Sequence, residues 1–173
     1  GIWSSVYNKT KWQTSQGEDR HRRGLYTYIK RTAPYPSMMI FDGTSRENCS
    51  VQRLPTNTPL QSFVTLNDPV YVEASLALGM ELAKQTVGKS SGSLINDVFE
   101  KATSRKPDEK ESEQLLELYE KSKKYFSNHT KAMKDYLGGY ELKHDFSGND
   151  IEWAAWSNVA SAIMNLDELF IKG

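Results

Sequence analysis

Residues 46–83 read RENCSVQRLPTNTPLQSFVTLNDPVYVEASLALGMELA, and this stretch contains two signals for the start of a helix. Thr58 precedes Pro59, and Asp68 precedes Pro69. A small polar side chain accepts a hydrogen bond from a free N–H group of the first turn, and proline at the first helical position has no N–H group to leave unsatisfied. We therefore predict helices that begin at Pro59 and at Pro69.

The second of these helices is apolar on nearly all sides. A helix of this kind is usually enclosed by its neighbours, and the charges at Glu73, Glu81 and Lys84 argue against a membrane span. Residues 69–86 are therefore predicted to form the central buried helix of an irregular helical bundle. In the shorter helix before it, we expect the apolar face to consist of Leu60, Phe63 and Val64.

The remaining segments also favour helices, so the predicted fold class is mainly α with a loop-rich N-terminal third. Asp19 is a candidate N-cap for a helix that ends before Pro34. Residues 38–41 are expected to be a short strand or buried extended segment. Further helices are indicated by Ser93 as a cap and by the capping-box spacings of Asp108 with Glu111 and of Asn149 with Glu152. Alanines after Asn149 predict close helix packing, with Trp153 and Trp156 at the edge of the core.

Length and composition fit one domain over residues 1–173. Lys plus Arg and Asp plus Glu both number 22, so net charge gives no reason to expect nucleic acid or an anionic membrane as a partner. The chain opens GIWSSVY, from which we expect a fragment of a longer protein. The single cysteine, Cys49, is expected to be buried filler rather than a nucleophile.

Polar residues are dense around the two helix starts and give the one candidate site. The polar cluster consists of Arg22, Arg31, Asp42, Arg46, Arg53, Asn57 and Asp68. One interpretation is structural: these side chains cap helices and fix the loop 33–58 through bonds between guanidinium and carboxylate groups. The other interpretation is a pocket for an anion or a sugar. No catalytic spacing is present, and the scattered His21, His129 and His144 give no metal-ligand spacing, so we predict neither a metal nor a cofactor.

Residues 17–53, GEDRHRRGLYTYIKRTAPYPSMMIFDGTSRENCSVQR, together with TNTPLQSFVTLNDPVYVEA and the closing WSNVASAIMNLDELFIK, resemble a known family. It is the uncharacterised C-terminal domain of large extracytoplasmic bacterial proteins first noted in Planctomycetes, where it lies downstream of cytochrome-c-like domains. The similarity covers roughly residues 16–83 and 150–172. Because the family's domain extends further toward the N-terminus, the resemblance implies that this chain is the C-terminal portion of that domain. It implies an exported protein in the periplasm or at the cell surface, with other domains of the same chain as partners. It implies no reaction, because the family has no established activity.

Three hypotheses about function follow, and the sequence alone does not choose among them. The first is a non-catalytic structural or interaction module of an exported multidomain protein. The second is a ligand-binding module in which Trp3, Trp12, Tyr35 and Tyr71 stack on a glycan. The third is part of an enzyme site that a preceding region of the full-length protein completes. We expect no nucleic-acid partner under any of them.

Overall fold

The structure is a computed structural model that describes residues 15, 17–26, 35–44, 51, 56–139 and 148–170. Within these ranges the chain forms α-helices and short 3-10 turns, and no β-strand. The α-helices are α1 (Pro36–Ile40), α2 (Pro59–Asn67), α3 (Pro69–Gln85), α4 (Ser91–Thr103), α5 (Glu109–Asn128), α6 (Thr130–Gly138) and α7 (Asp150–Met164). The 3-10 turns are Gly17–His21, Gly24–Tyr26 and Asp167–Leu169. The predicted mainly α fold class is confirmed.

The chain divides into two compact units, Gly1–Val64 and Thr65–Gly173. The first unit contains α1 and most of α2. The second contains α3 to α7 and the last 3-10 turn. The assignment of residues 1–173 to a single domain stays a prediction.

Both helix starts that the sequence indicated are confirmed. The Thr58 hydroxyl accepts a hydrogen bond from the Gln61 N–H group at 3.4 Å, and α2 begins at Pro59. The Asp68 carboxylate accepts one from the Val70 N–H group at 3.0 Å, and α3 begins at Pro69. Each cap therefore satisfies a donor that the first turn of its helix leaves without an intrahelical partner.

The core of the second unit is built around α7. This helix packs mainly on α3 and α5 and also contacts α4 and α6. Its enclosed residues are Trp153, Ala154, Ala155, Trp156, Ser157, Val159, Ala160 and Ile163. Helix α3 contributes Leu76, Gly79, Leu82 and Ala83 to the buried side, while Ala74, Glu81 and Lys84 are exposed. Helix α3 thus forms where a helix was predicted over residues 69–86. Among the described helices, α7 packs against the largest number of other helices.

The two tryptophans of α7 were expected at the edge of the core, and this expectation is wrong. Trp153 and Trp156 are 2% and 0% exposed. The Trp153 indole donates a hydrogen bond to the Leu76 carbonyl at 2.8 Å, and the Trp156 indole donates one to the Thr86 hydroxyl at 2.9 Å. Full burial is possible because both indole N–H groups have acceptors on or next to α3.

Residues 38–40 are helical and Phe41 is the turn residue after them, so the prediction of a strand or extended segment at 38–41 is also wrong. Helix α1 begins at Pro36, where proline occupies the first helical position after an extended Tyr35. Proline at the first position is shared with α2 and α3, but Tyr35 makes no side-chain cap hydrogen bond. The run of four apolar residues was mistaken for a strand because the helix that contains the first three of them is only five residues long.

The helix expected from Asp19 is absent from the described residues 17–26, where two 3-10 turns replace it. Helix α4 begins earlier than predicted, because the hydroxyl that accepts from the Ser93 N–H group belongs to Ser90. The capping box at Asp108 and Glu111 is confirmed in both directions. No described helix is both long and apolar enough to cross a membrane.

The apolar face predicted for α2 is wrong as well. Leu60 and Phe63 are 54% and 62% exposed, whereas Gln61 and Thr65 are buried. Gln61 takes the inward position because its side-chain amide supplies hydrogen bonds to backbone groups there, and buried backbone groups need such partners.

Candidate functional site

Asp42 belongs to the predicted polar cluster and lies two residues after the last residue of α1. The backbone of Asp42 is left-handed, with φ of 58°. The Gly43 N–H group donates a hydrogen bond to the Met38 carbonyl at 2.6 Å, which is the arrangement that closes many helix C-termini. A Cβ atom on Gly43 would lie 2.4 Å from that carbonyl oxygen, so glycine is required at this position.

The Asp42 side chain binds Thr56, which lies fourteen residues further along the chain. Its carboxylate accepts hydrogen bonds from the Thr56 N–H group at 2.7 Å and from the Thr56 hydroxyl at 2.8 Å. The bond from the Thr56 backbone, followed by that from its side chain, lowers the pKa of Asp42 below its ordinary value. Asp42 therefore fixes the chain just before α2 while it ends α1.

Gln61 connects the same three segments through its side-chain amide. Its Oε1 accepts a hydrogen bond from the Thr58 N–H group at 2.9 Å, and this completes a capping box with the Thr58 hydroxyl. Its Nε2 donates to the Ile40 carbonyl at 2.9 Å and to the Thr56 hydroxyl at 3.2 Å. All three hydrogen bonds that the structure shows for the Gln61 side chain are made to the backbone or to Thr56.

The other predicted site residues fall in separate places. Arg22 pairs with Asp19 through Nε at 2.6 Å, and both side chains are exposed. Asn57 is exposed, and Asp68 caps α3. Arg31, Arg46 and Arg53 lie outside the described residues. The structure thus brings together Asp42, Thr56, Thr58 and Gln61, of which only Asp42 belonged to the predicted cluster. The cluster as a whole stays a prediction.

The aromatic residues suggested as sugar platforms are also dispersed. Trp3 and Trp12 lie outside the described residues. Tyr35 is 37% exposed immediately before α1. Tyr71 is half-buried on α3, where its ring meets that of Phe170 edge to face at a centroid distance of 6.0 Å. Packing against Phe170 therefore occupies part of the Tyr71 surface.

A second polar group, in the unit Thr65–Gly173, was not predicted. The hydroxyl of the buried Tyr119 donates a short hydrogen bond to Oε2 of Glu152. Lys123 Nζ lies 2.5 Å from Oε1 of the same carboxylate and 5.5 Å from the centre of the Tyr119 ring. Burial, followed by the hydrogen bond to Glu152, raises the pKa of Tyr119, and the bond to Glu152 raises the pKa of Lys123.

The capping box expected from Asn149 and Glu152 is wrong, because the Glu152 carboxylate belongs to this polar group. Asn149 caps α7 by accepting from the Ile151 N–H group at 2.9 Å. The Glu152 carboxylate instead joins α7 to α5, where both Tyr119 and Lys123 lie. The only local signal was the i, i+4 spacing of Tyr119 and Lys123, which places them on one face of a helix.

A third polar group surrounds Arg105 in the loop between α4 and α5. Its Nη1 and Nη2 bind Glu111 at 2.8 and 2.6 Å, and its Nε and Nη2 bind Glu168 at 2.9 and 2.8 Å. The guanidinium also lies 4.8 Å from the centre of the Phe99 ring. The hydrogen bonds from Arg105 and then from the Asp108 N–H group lower the pKa of Glu111 to about 2. Arg105 also lowers the pKa of Glu168, and both carboxylates raise the pKa of Arg105.

None of these groups has the composition of a metal site. Among the residues that the structure describes, no three of His, Cys, Asp and Glu lie close enough to hold an ion. His129 stacks on Tyr125 at a centroid distance of 4.3 Å, and its Nδ1 lies 2.9 Å from the Tyr125 carbonyl oxygen. His144 and Cys49 lie outside the described residues.

These elements define a helical protein module in which Asp42, Glu152 and Arg105 each bind other residues of the same chain. The chain belongs to the family PSD1, described as a protein of unknown function (DUF1553), whose model matches residues 3–119. The match includes α1 to α4 and the first half of α5, and it ends before the closing pattern at residues 150–172. The search of curated proteins and the search of solved structures found no match.

Proposed function

We propose that this chain is a non-catalytic structural or interaction module of an exported multidomain protein. The observation that carries the proposal is the set of hydrogen bonds made by Asp42, a charged member of the predicted polar cluster. Its carboxylate accepts two hydrogen bonds from Thr56 and leaves α1 tied to the start of α2. A catalytic base must reach a substrate proton, whereas this carboxylate is directed at the backbone of its own chain.

The two other polar groups support the same function. Glu152 joins α5 to α7, and Arg105 joins the α4–α5 loop to the last 3-10 turn. In each case the charged atoms bind residues distant in sequence. Such bonds hold helices in a fixed arrangement, which is the property that a scaffold or a docking module needs.

The proposal also includes the cellular location of the protein and its binding partners. The resemblance to extracytoplasmic bacterial proteins supports a periplasmic or cell-surface location. It also supports other domains of the same full-length chain, cytochrome-c-like domains among them, as the binding partners. The balanced charge of the chain, 22 basic and 22 acidic residues, gives no electrostatic preference for nucleic acid.

The test is an NMR titration of the isotope-labelled 173-residue chain with the remainder of its full-length protein, which is expressed separately. We expect the remainder to shift a contiguous set of exposed amide signals, while the amides of buried α7 residues such as Val159 stay in place. Fractionation of the native host is expected to find the full-length protein outside the cytoplasm.

Two results would contradict the proposal. One is turnover of a substrate by the 173-residue chain that Asp42→Asn abolishes without unfolding the protein. The other is turnover that requires both the chain and the remainder and that Asp42→Asn again removes, because this would make the module part of a composite enzyme site.

A further inference from the structure

Residues 165–170, which follow α7, are attached to the unit Thr65–Gly173 at three points. The Asn165 Oδ1 accepts a hydrogen bond from the Thr65 hydroxyl at 2.6 Å. Glu168 binds Arg105, and the Phe170 ring meets Tyr71. We call residues 165–170 the strap, because each attachment is to a different element.

Three residues of the strap, Asp167, Glu168 and Phe170, are exposed, whereas Asn165, Leu166 and Leu169 are half-buried and Leu166 packs against the core. The Arg105 and Glu168 side chains are 41% and 43% exposed, and Phe170 is 39% exposed. Ion pairs of this exposure contribute little to stability and weaken in salt. Segments with few buried contacts open more readily than the core of the same domain.

Arg105 connects the strap to the start of α5. Glu111, which shares the guanidinium with Glu168, also accepts a hydrogen bond from the Asp108 N–H group at 2.8 Å. The Glu111 N–H group in turn donates to the Asp108 carboxylate at 2.7 Å. One guanidinium therefore touches both the strap and the capping box that begins α5.

We propose that the strap opens and closes as a unit without unfolding of the bundle, and that Arg105 couples its closure to the first turn of α5. The coupling is favourable because Glu168 immobilises the guanidinium. Glu111 then binds an arginine that has already lost its rotational freedom, and less entropy is lost per bond. This inference concerns motion and does not depend on the proposed function.

The experiment is native-state amide exchange on the whole 173-residue chain with and without Glu168→Gln. The strap is reported by the Leu169 and Phe170 amides, which donate to the Leu166 and Asp167 carbonyls. The first turn of α5 is reported by the Glu111 and Ser112 amides, which donate to Asp108. We expect E168Q to speed exchange at the strap by about two- to fivefold, and to speed exchange at Glu111 and Ser112 by a smaller factor.

The matched control is Glu117→Gln, which removes an exposed ion pair with Lys121 on α5 and touches neither the strap nor the capping box. It should leave all four amides unchanged. Unchanged exchange at Glu111 and Ser112 in E168Q would overturn the coupling.

The wild-type chain provides a test that needs no variant. With low concentrations of urea, the Leu169 and Phe170 amides should show a much weaker urea dependence than Val159 in α7, because opening of the six-residue strap exposes much less surface than unfolding of the bundle. Salt should speed exchange at the strap and at Glu111 together. A urea dependence equal to that of Val159 would mean that the strap opens only when the bundle unfolds, and would overturn the proposal.

Discussion

Gly79 of α3 lies directly against Ser157 of α7. A Cβ atom on Gly79 would come within 2.3 Å of the Ser157 hydroxyl oxygen and within 2.5 Å of its backbone nitrogen. Both residues are buried. The two helices meet at this distance only because position 79 has no side chain.

Gly79→Ala is therefore expected to lower the free energy of unfolding, by about 1–3 kcal/mol. Glycine inside a helix ordinarily costs about 1 kcal/mol relative to alanine, so the expected sign is opposite to that of helix propensity. Urea unfolding followed by circular dichroism measures the change.

Gly92→Ala is the control for this substitution, because no atom lies within 4 Å of a Cβ atom built on this helical glycine of α4. It should leave stability unchanged or raise it slightly. Ser157→Gly should not rescue Gly79→Ala, since two of the three nearest atoms belong to the Ser157 backbone. Equal stability of the two alanine variants would show that the helices do not meet at Gly79.

Gln61→Leu should destabilise the chain by about 1–3 kcal/mol, the usual cost of leaving buried backbone groups without partners. The Ile40 carbonyl and the Thr58 N–H group each lose a hydrogen bond to the Gln61 side chain. Urea unfolding of Gln114→Leu, at an exposed position of α5, gives the cost of the same change without those bonds. Similar losses in the two variants would contradict the structural role of Gln61.

The pKa of Asp42 is lowered in the folded chain by its hydrogen bonds to Thr56. Its contribution to stability is therefore present above the ordinary pKa of 3.8 and is lost as the pH falls through the lower folded value. The Thr56 amide signal should titrate below pH 3.8 in the wild type and lose this titration in Asp42→Asn. Asparagine tolerates the left-handed backbone, so Asp42→Ala should be less stable than Asp42→Asn. Titration of Thr56 at the ordinary pKa would show that the bond does not form.

Tyr119→Phe should lower the free energy of unfolding by about 1–2 kcal/mol at neutral pH, because it removes a hydrogen bond to the Glu152 carboxylate. Tyr125→Phe is the control, at a position that is 50% exposed. The measurement is urea unfolding of both variants, and an equal effect would contradict the buried bond.

The pH dependence gives a second test of Tyr119. Its pKa is raised in the folded chain, so its contribution is complete below the ordinary value of 10.0 and is lost as the pH rises through the folded value. The stability of the wild type should therefore fall above pH 10. The fall should be less steep in Tyr119→Phe, by up to about 1.4 kcal/mol per pH unit, the slope that one proton produces. Lys123 loses its charge in the same range and contributes in the same direction.

Local signals in the sequence predicted those parts of the fold that depend on nearby residues. Thr58 and Asp68 before prolines, and the spacing of Asp108 and Glu111, are caps that act within one turn, and the structure contains all three. Pro36 also starts a helix, but Tyr35 before it makes no side-chain cap hydrogen bond, and the apolar residues after it favoured a strand. Ser90 was missed because three serines lie within four residues there.

The unpredicted features depend on contacts that sequence spacing does not encode. Glu152 was assigned to a capping box, and its partner Tyr119 lies 33 residues away. Arg105 and Glu168 are 63 residues apart. The apolar face predicted for α2 left no place for Gln61 inside, because periodicity places apolar residues inward and cannot show that the Ile40 carbonyl needs a donor.

The central claim is that Asp42 and its neighbours fix the backbone rather than bind a ligand. The most direct measurement is titration of the isotope-labelled chain with phosphate, sulfate and a panel of oligosaccharides while the amides of Thr56, Thr58 and Gln61 are followed. We predict no saturable shift at these three amides. A saturable shift at all three that Asp42→Asn removes would contradict the claim and identify the site as a ligand pocket.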